Sequence, residues 1–145
     1  MLKNKENSKS EQGFSIVELL LVVTIIGIVS AVGVPNFQRG MRSADNGAMY
    51  ANLRSMSGSQ VSFYSQNGRF ARLSELNGLH GGSLGTPEGN GIVRGKFYIE
   101  MSPVAPTDEE LKNEYVIVAS AENGVGSAPV TYRLNQTGEI VQLSP

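Results

Sequence analysis

Apolar positions are unevenly distributed along this chain of 145 residues. They concentrate in a run from Phe14 to Val34, in which 15 of 21 residues are apolar and Glu18 is the only charge. A helix of that length rises roughly 30 Å, about the thickness of a bilayer core. A lone carboxylate at mid-bilayer costs about 2.5–3.5 kcal/mol or more, so such a group usually has a partner and a function.

The pattern changes after Pro35. From Asn36 to Gln66 there is no proline, and Met49, Leu53, Met56, Gln60 and Phe63 recur at spacings of three to four. That is the stripe of a helix facing a sheet. Ser57, Gly58 and Ser59 would permit close approach. Asn67-Gly68 supplies a helix stop. The run and the stripe together predict one helix over about residues 14–66.

The remainder reads as a small head. Arg69–Leu76 is a short link, irregular or helical. Asn77–Gly95 holds seven glycines and is expected to be a loop. Lys96–Met101 alternates, with Phe97, Ile99 and Met101 on one face, as a half-buried strand does. Thr107 and Glu110 have capping-box spacing and predict one helical turn. Tyr115–Ala121 reads as a buried strand, and Val130–Leu134 with Glu139–Leu143 as a closing hairpin. The expected fold is α+β: a long N-terminal helix packed on an antiparallel sheet of four strands, or three if the first fails.

Composition narrows the chemistry. With no cysteine the head is held by packing alone, and thiolate chemistry is excluded. A formal net charge of -1 provides no strong field toward nucleic acid or anionic lipid. The charges are nevertheless segregated. Arg39, Arg42 and Arg54 face only Asp45 in the second half of the helix, whereas Leu76–Pro145 holds eight acids and four bases. This segregation is either solvated surface or a means of docking subunits.

Ahead of the apolar run, Met1–Gly13 carries three Lys and two Glu. A basic flank stays cytoplasmic, so the rest of the chain crosses outward. The order is wrong for an ordinary secretory signal, because no Ala-x-Ala site follows the apolar segment. On pattern alone, an uncleaved signal anchor is as good a reading as a processed one.

Gly13-Phe14-Ser-Ile-Val-Glu18-Leu, followed by Pro35-Asn36-Phe37, resembles the class III signal of type IV prepilins and pseudopilins. The resemblance covers Gly13 to about Phe37. It implies cleavage between Gly13 and Phe14 and N-methylation of Phe14 by a prepilin peptidase/methyltransferase. It implies four segments: a leader (1–13), a transmembrane or filament-core helix (14–35), an amphipathic helix half (36–66) and a globular head (67–145). The implied partners are further copies of the chain in a filament, the inner membrane and a pilus assembly platform. The precursor would sit in the inner membrane and the assembled pilus at the cell surface, for motility, adhesion or DNA uptake.

Within this resemblance Glu18 of one subunit pairs with the Phe14 amine of a neighbour and sets axial register. The amine lies at a helix N-terminus, whose dipole adds positive charge, and neither charge tolerates isolation in an apolar core. The alternative is a Glu18 that snorkels or pairs within its own chain. Gly27, Gly33 and Pro35 weaken the helix, at about 1 kcal/mol per glycine and about 3 kcal/mol for the proline. Together with the β-branched residues between them, they could unwind on assembly, as in type IV pili, or simply kink.

Other chemistry finds little footing. His80 is the only histidine, and no triad can be built on it; the chain reads as a non-enzyme with no cofactor and no metal. Asp108, Glu109, Glu110 and Glu114 are explained by a helix start. Gly95-Lys96-Phe97 is not a phosphate loop. Asn135-Gln-Thr137 matches a glycosylation sequon on a turn. The disulfide-closed C-terminal loop usual in pilins is missing. So are the Asp-Pro-Trp-Gly element and calcium-binding acidic tail of the main pseudopilins, which favours a pilin over a secretion-system pseudopilin. A minor pilin that binds DNA or a surface is a third reading; it requires Arg54, Arg69 and Arg72 to join the Gly-rich loop in a basic patch.

Overall fold

The computed structural model describes residues 13–121 and 129–144. Residues 1–12, most of the expected leader, lie outside the described residues. The chain divides into two units, Met1–Met41 and Arg42–Pro145. Helix α1, Ile16–Asn67, is 52 residues long and contributes to both.

The first unit is helical from Ile16 onward, and every residue from Gly13 to Met41 is exposed. The second unit has a single core. Met49, Leu53, Met56 and Gln60 of α1 are buried and Phe63 packs partly against them, as the stripe predicts. Each large apolar side chain so buried contributes about 1.5–3 kcal/mol. Gln60 is satisfied on both sides: Nε2 donates to the Ala71 carbonyl at 2.8 Å and Oε1 accepts from the Ala71 N–H at 2.7 Å. The polar member of the stripe thus clamps the chain just beyond the helix.

Gly68, at φ 69°, takes the left-handed conformation that ends α1. Helix α2 follows at Leu73–Leu79. The sheet then runs β1 (Thr86–Glu88), β2 (Gly91–Arg94), β3 (Phe97–Met101), β4 (Val116–Ala121), β5 (Val130–Asn135) and β6 (Ile140–Gln142), each antiparallel to the next. A single 3-10 turn, Glu110–Lys112, interrupts the β3–β4 connection. The capping box is present: Glu110 Oε2 accepts from the Thr107 N–H at 2.7 Å, and Thr107 Oγ1 accepts from the Glu110 N–H at 3.3 Å.

The α+β class holds, but the sheet has six strands where three or four were expected. All four expected strands are present. The extra two come from Asn77–Gly95, which is not a loop throughout. Its start lies in α2, and Glu88↔Gly91 and Arg94↔Phe97 close two tight hairpins. Gly89 (φ 57°) and Gly95 (φ 61°) each occupy the first turn position, where a primed turn needs positive φ. Two of the glycines that suggested a loop are the residues that let the chain reverse.

Candidate assembly site

The N-terminal end of α1 is built around Ser15 and Glu18. Glu18 Oε2 accepts a hydrogen bond from the Ser15 N–H at 2.9 Å. Ser15 Oγ in turn accepts from the Val17 N–H at 3.3 Å. Ser15-Ile-Val-Glu18 therefore caps the helix with the Glu arm of a capping box and the hydroxyl on Val17, satisfying donors that a helix start leaves open. The Ser-x-x-Glu spacing that pointed to Thr107–Glu110 was equally present here, and sequence reasoning missed it. In the single chain Glu18 thus has a local partner.

Around this cap the helix is apolar and exposed. Phe14 is 86% exposed, and the large apolar side chains from Ile16 to Val34 are all exposed. This part of α1 is long and apolar enough to cross a membrane. Such a surface has to meet lipid or other protein. Gly27, Gly33 and Pro35 lie in helical backbone, and a Cβ added at either glycine would meet nothing within 4 Å. Beside the proline, Asn36 Nδ2 donates to the Val32 carbonyl at 3.1 Å; Thr24 Oγ1 donates to the Leu20 carbonyl at 2.8 Å. Side-chain bonds of this kind compete with the backbone ladder.

In the second unit, the residues considered for a basic patch are engaged elsewhere. Arg69 forms a two-pronged pair with Glu75 at 2.9 and 2.7 Å and lies 5.3 Å from the Phe63 ring. Arg72 bonds Asp108 at 2.6 Å. The Arg69 hydrogen bond, opposed by partial burial and helped by the Arg72 N–H, holds the Glu75 carboxyl below its usual range. The same bond raises the Arg69 guanidinium. Arg54 donates to the Gly138 carbonyl at 3.3 Å. His80 Nε2 lies 2.7 Å from Ser59 Oγ, which also donates to the Ser55 carbonyl at 3.0 Å. His80 ties the end of α2 to α1, a role its sequence context did not suggest. The sequon Asn135 has its Oδ1 occupied by Thr137 and by the Glu139 N–H in the β5–β6 turn.

Two comparisons bear on the chain. Residues 8–34 match the family signature described as the prokaryotic N-terminal methylation motif. Over 102 residues the chain is 35% identical to the type IV major pilin protein PilA of Myxococcus xanthus (strain DK1622). The chain is type IV pilin-like. The match covers 70% of the pilin-like chain and 41% of PilA, so the chain spans less than half the length of that relative. No solved structure matches it. The matched signature contains Gly13, Phe14, Glu18, Gly27 and Gly33 and stops one residue short of Pro35.

Proposed function

We propose that this pilin-like chain is a structural subunit of a type IV filament. It is made as an inner-membrane precursor, cut between Gly13 and Phe14, methylated on the new Phe14 amine and polymerised through α1. The leader is then residues 1–13, the filament core 14–35, the amphipathic half 36–66 and the head 67–145.

The observation that carries this reading is the exposed apolar stretch of α1 up to Val34, whose one carboxylate, Glu18, lies in the first turn. Cleavage puts a cation at Phe14, four residues from Glu18. In a filament core, the Glu18 of one subunit meets the Phe14 amine of its neighbour, exchanging the local Ser15 bond, in which only the acceptor is charged, for one in which both partners are charged. Gly27, Gly33 and Pro35 let the intervening helix extend, since an extended chain gains up to about 3.3 Å per residue against 1.5 Å in a helix.

A second feature supports helix-mediated assembly. Ala44, Gly47, Ala51, Ser55, Gly58, Ser62 and Ser65 recur every three or four residues and are all exposed. They form a face of small side chains that a second helix can approach closely. The direct test is mass spectrometry of the protein from sheared surface filaments. The reading requires a chain beginning at a methylated Phe14; an intact Met1 in filaments, or no filaments, refutes it.

A further inference from the structure

Among the described residues, the two ends of the second unit carry opposite, unbalanced charge. At one end, Asp45 pairs with Lys96 at 3.5 Å. Arg94, the last residue of β2, bonds only neutral groups, Asn52 Oδ1 and the Ser83 and Leu84 carbonyls. Arg42, one turn before Asp45, is exposed and has no acidic partner among the described residues. Among the described residues this end therefore has a surplus of positive charge.

At the other end, the Phe70 N–H donates to the Leu111 carbonyl at 2.8 Å, and the Phe70 ring bridges Tyr64 of α1 (4.7 Å between ring centres) and Tyr115 (4.8 Å). The Thr107–Glu114 turn is thereby fixed at the Asn67 end of α1. Arg69 and Arg72 are balanced by Glu75 and Asp108, and Lys112 by Glu109. Glu110 caps the turn with Thr107 as its partner. Glu114 is exposed, with no basic partner among the described residues. Here the surplus is negative.

These surpluses cannot neutralise each other within one chain. Arg42 and Asn67 are 25 residues apart on one helix, roughly 38 Å at 1.5 Å per residue. That is several times the screening length of about 8 Å at physiological salt. We propose that Arg42 of one copy docks against Glu114 in the Thr107–Glu114 turn of a second copy displaced along the helix axis. Such a contact is head-to-tail, and contacts of that type propagate into open filaments instead of closing into dimers. It also gives the added subunit a polarity, because like ends repel. The proposal rests on the filament reading and supplies a docking pair outside the apolar core.

Charge reversal in the full-length chain, expressed in place of the native copy in its host, tests it. Arg42→Glu and Glu114→Arg should each lower the yield of sheared filaments by roughly tenfold while the membrane pool of the chain stays constant. The double variant should recover most of the loss, and wild-type filaments should shed more subunits as salt rises. Wild-type yield from Arg42→Glu, or a double variant no better than either single one, overturns the pairing. If a reversed variant does not accumulate in the membrane, Arg42→Gln and Glu114→Gln replace it. Each should leave filaments whose salt sensitivity is reduced; unchanged sensitivity in both overturns the pairing. A wild-type chain that is cleaved yet forms no filaments refutes the filament reading instead.

Discussion

Glu18 accepts a 2.9 Å hydrogen bond from the backbone N–H of Ser15, three residues earlier in the same chain. The carboxylate that would bind a neighbour in a filament is therefore the one that caps the unassembled helix. Glutamine serves in a capping box almost as well as glutamate, so charge and cap can be separated. Glu18→Gln should insert and be cleaved like wild type but yield few filaments, whereas Glu18→Ala loses the cap as well. Immunoblots of membrane and sheared fractions read both steps. Wild-type filament yield from Glu18→Gln would show that the cap, and not the charge, is what assembly uses.

Gln60 offers a prediction about the head alone. It is fully buried, and its amide satisfies both the N–H and the C=O of Ala71. Gln60→Leu matches the apolar stripe around it but strands two buried backbone groups, each worth about 1–3 kcal/mol. The variant should be markedly less stable, read as a lower midpoint for protease resistance of the head in urea. An unchanged midpoint would show that water replaces the clamp.

These two side chains mark what could be read in advance. The long helix, the Met49–Phe63 stripe and the last four strands follow from periodicity, a signal carried by many residues at once. The first hairpins were missed because β1 and β2 are only three and four residues long, too short for a clear period. Their evidence lay in Gly89 and Gly95, single residues at turn positions. The Phe14–Glu18 region was legible as a motif, yet its local geometry was not: Ser15 reads as one more residue in an apolar run until its N–H and hydroxyl are seen in the cap. The tie between His80 and Ser59 spans 21 residues with no local pattern.

The link after α1 should be acid-sensitive. The Arg69 hydrogen bond depresses the Glu75 carboxyl from its ordinary value of 4.5. A depressed acid adds stability above its unfolded value and loses it as pH falls through the lower folded value. Protease susceptibility around Gly68–Arg72 should therefore rise below about pH 4.5. In Glu75→Gln it should be higher at neutral pH, and its rise on acidification should be smaller than in wild type. Equal acid responses in the two proteins would assign the effect to other carboxylates.

Two glycines should respond in opposite ways to the same substitution. A Cβ at Gly91 would lie 2.3 Å from the Ile99 carbonyl oxygen and 2.7 Å from Tyr98 Cζ, so the β2–β3 pairing must shift to admit it. Overpacking of that kind costs about 1–3 kcal/mol. At Gly58 the added Cβ meets nothing within 4 Å, and alanine gains about 1 kcal/mol of helix propensity. Gly91→Ala should lower the thermal midpoint of the full chain in detergent, and Gly58→Ala should hold or raise it. If the small-residue face receives a neighbouring helix, bulk at Gly58 should be harmful only after folding. Gly58→Leu would then keep the monomer's midpoint while filament yield falls severalfold. A Gly58→Leu protein that assembles normally would place the neighbouring helix on another face of α1.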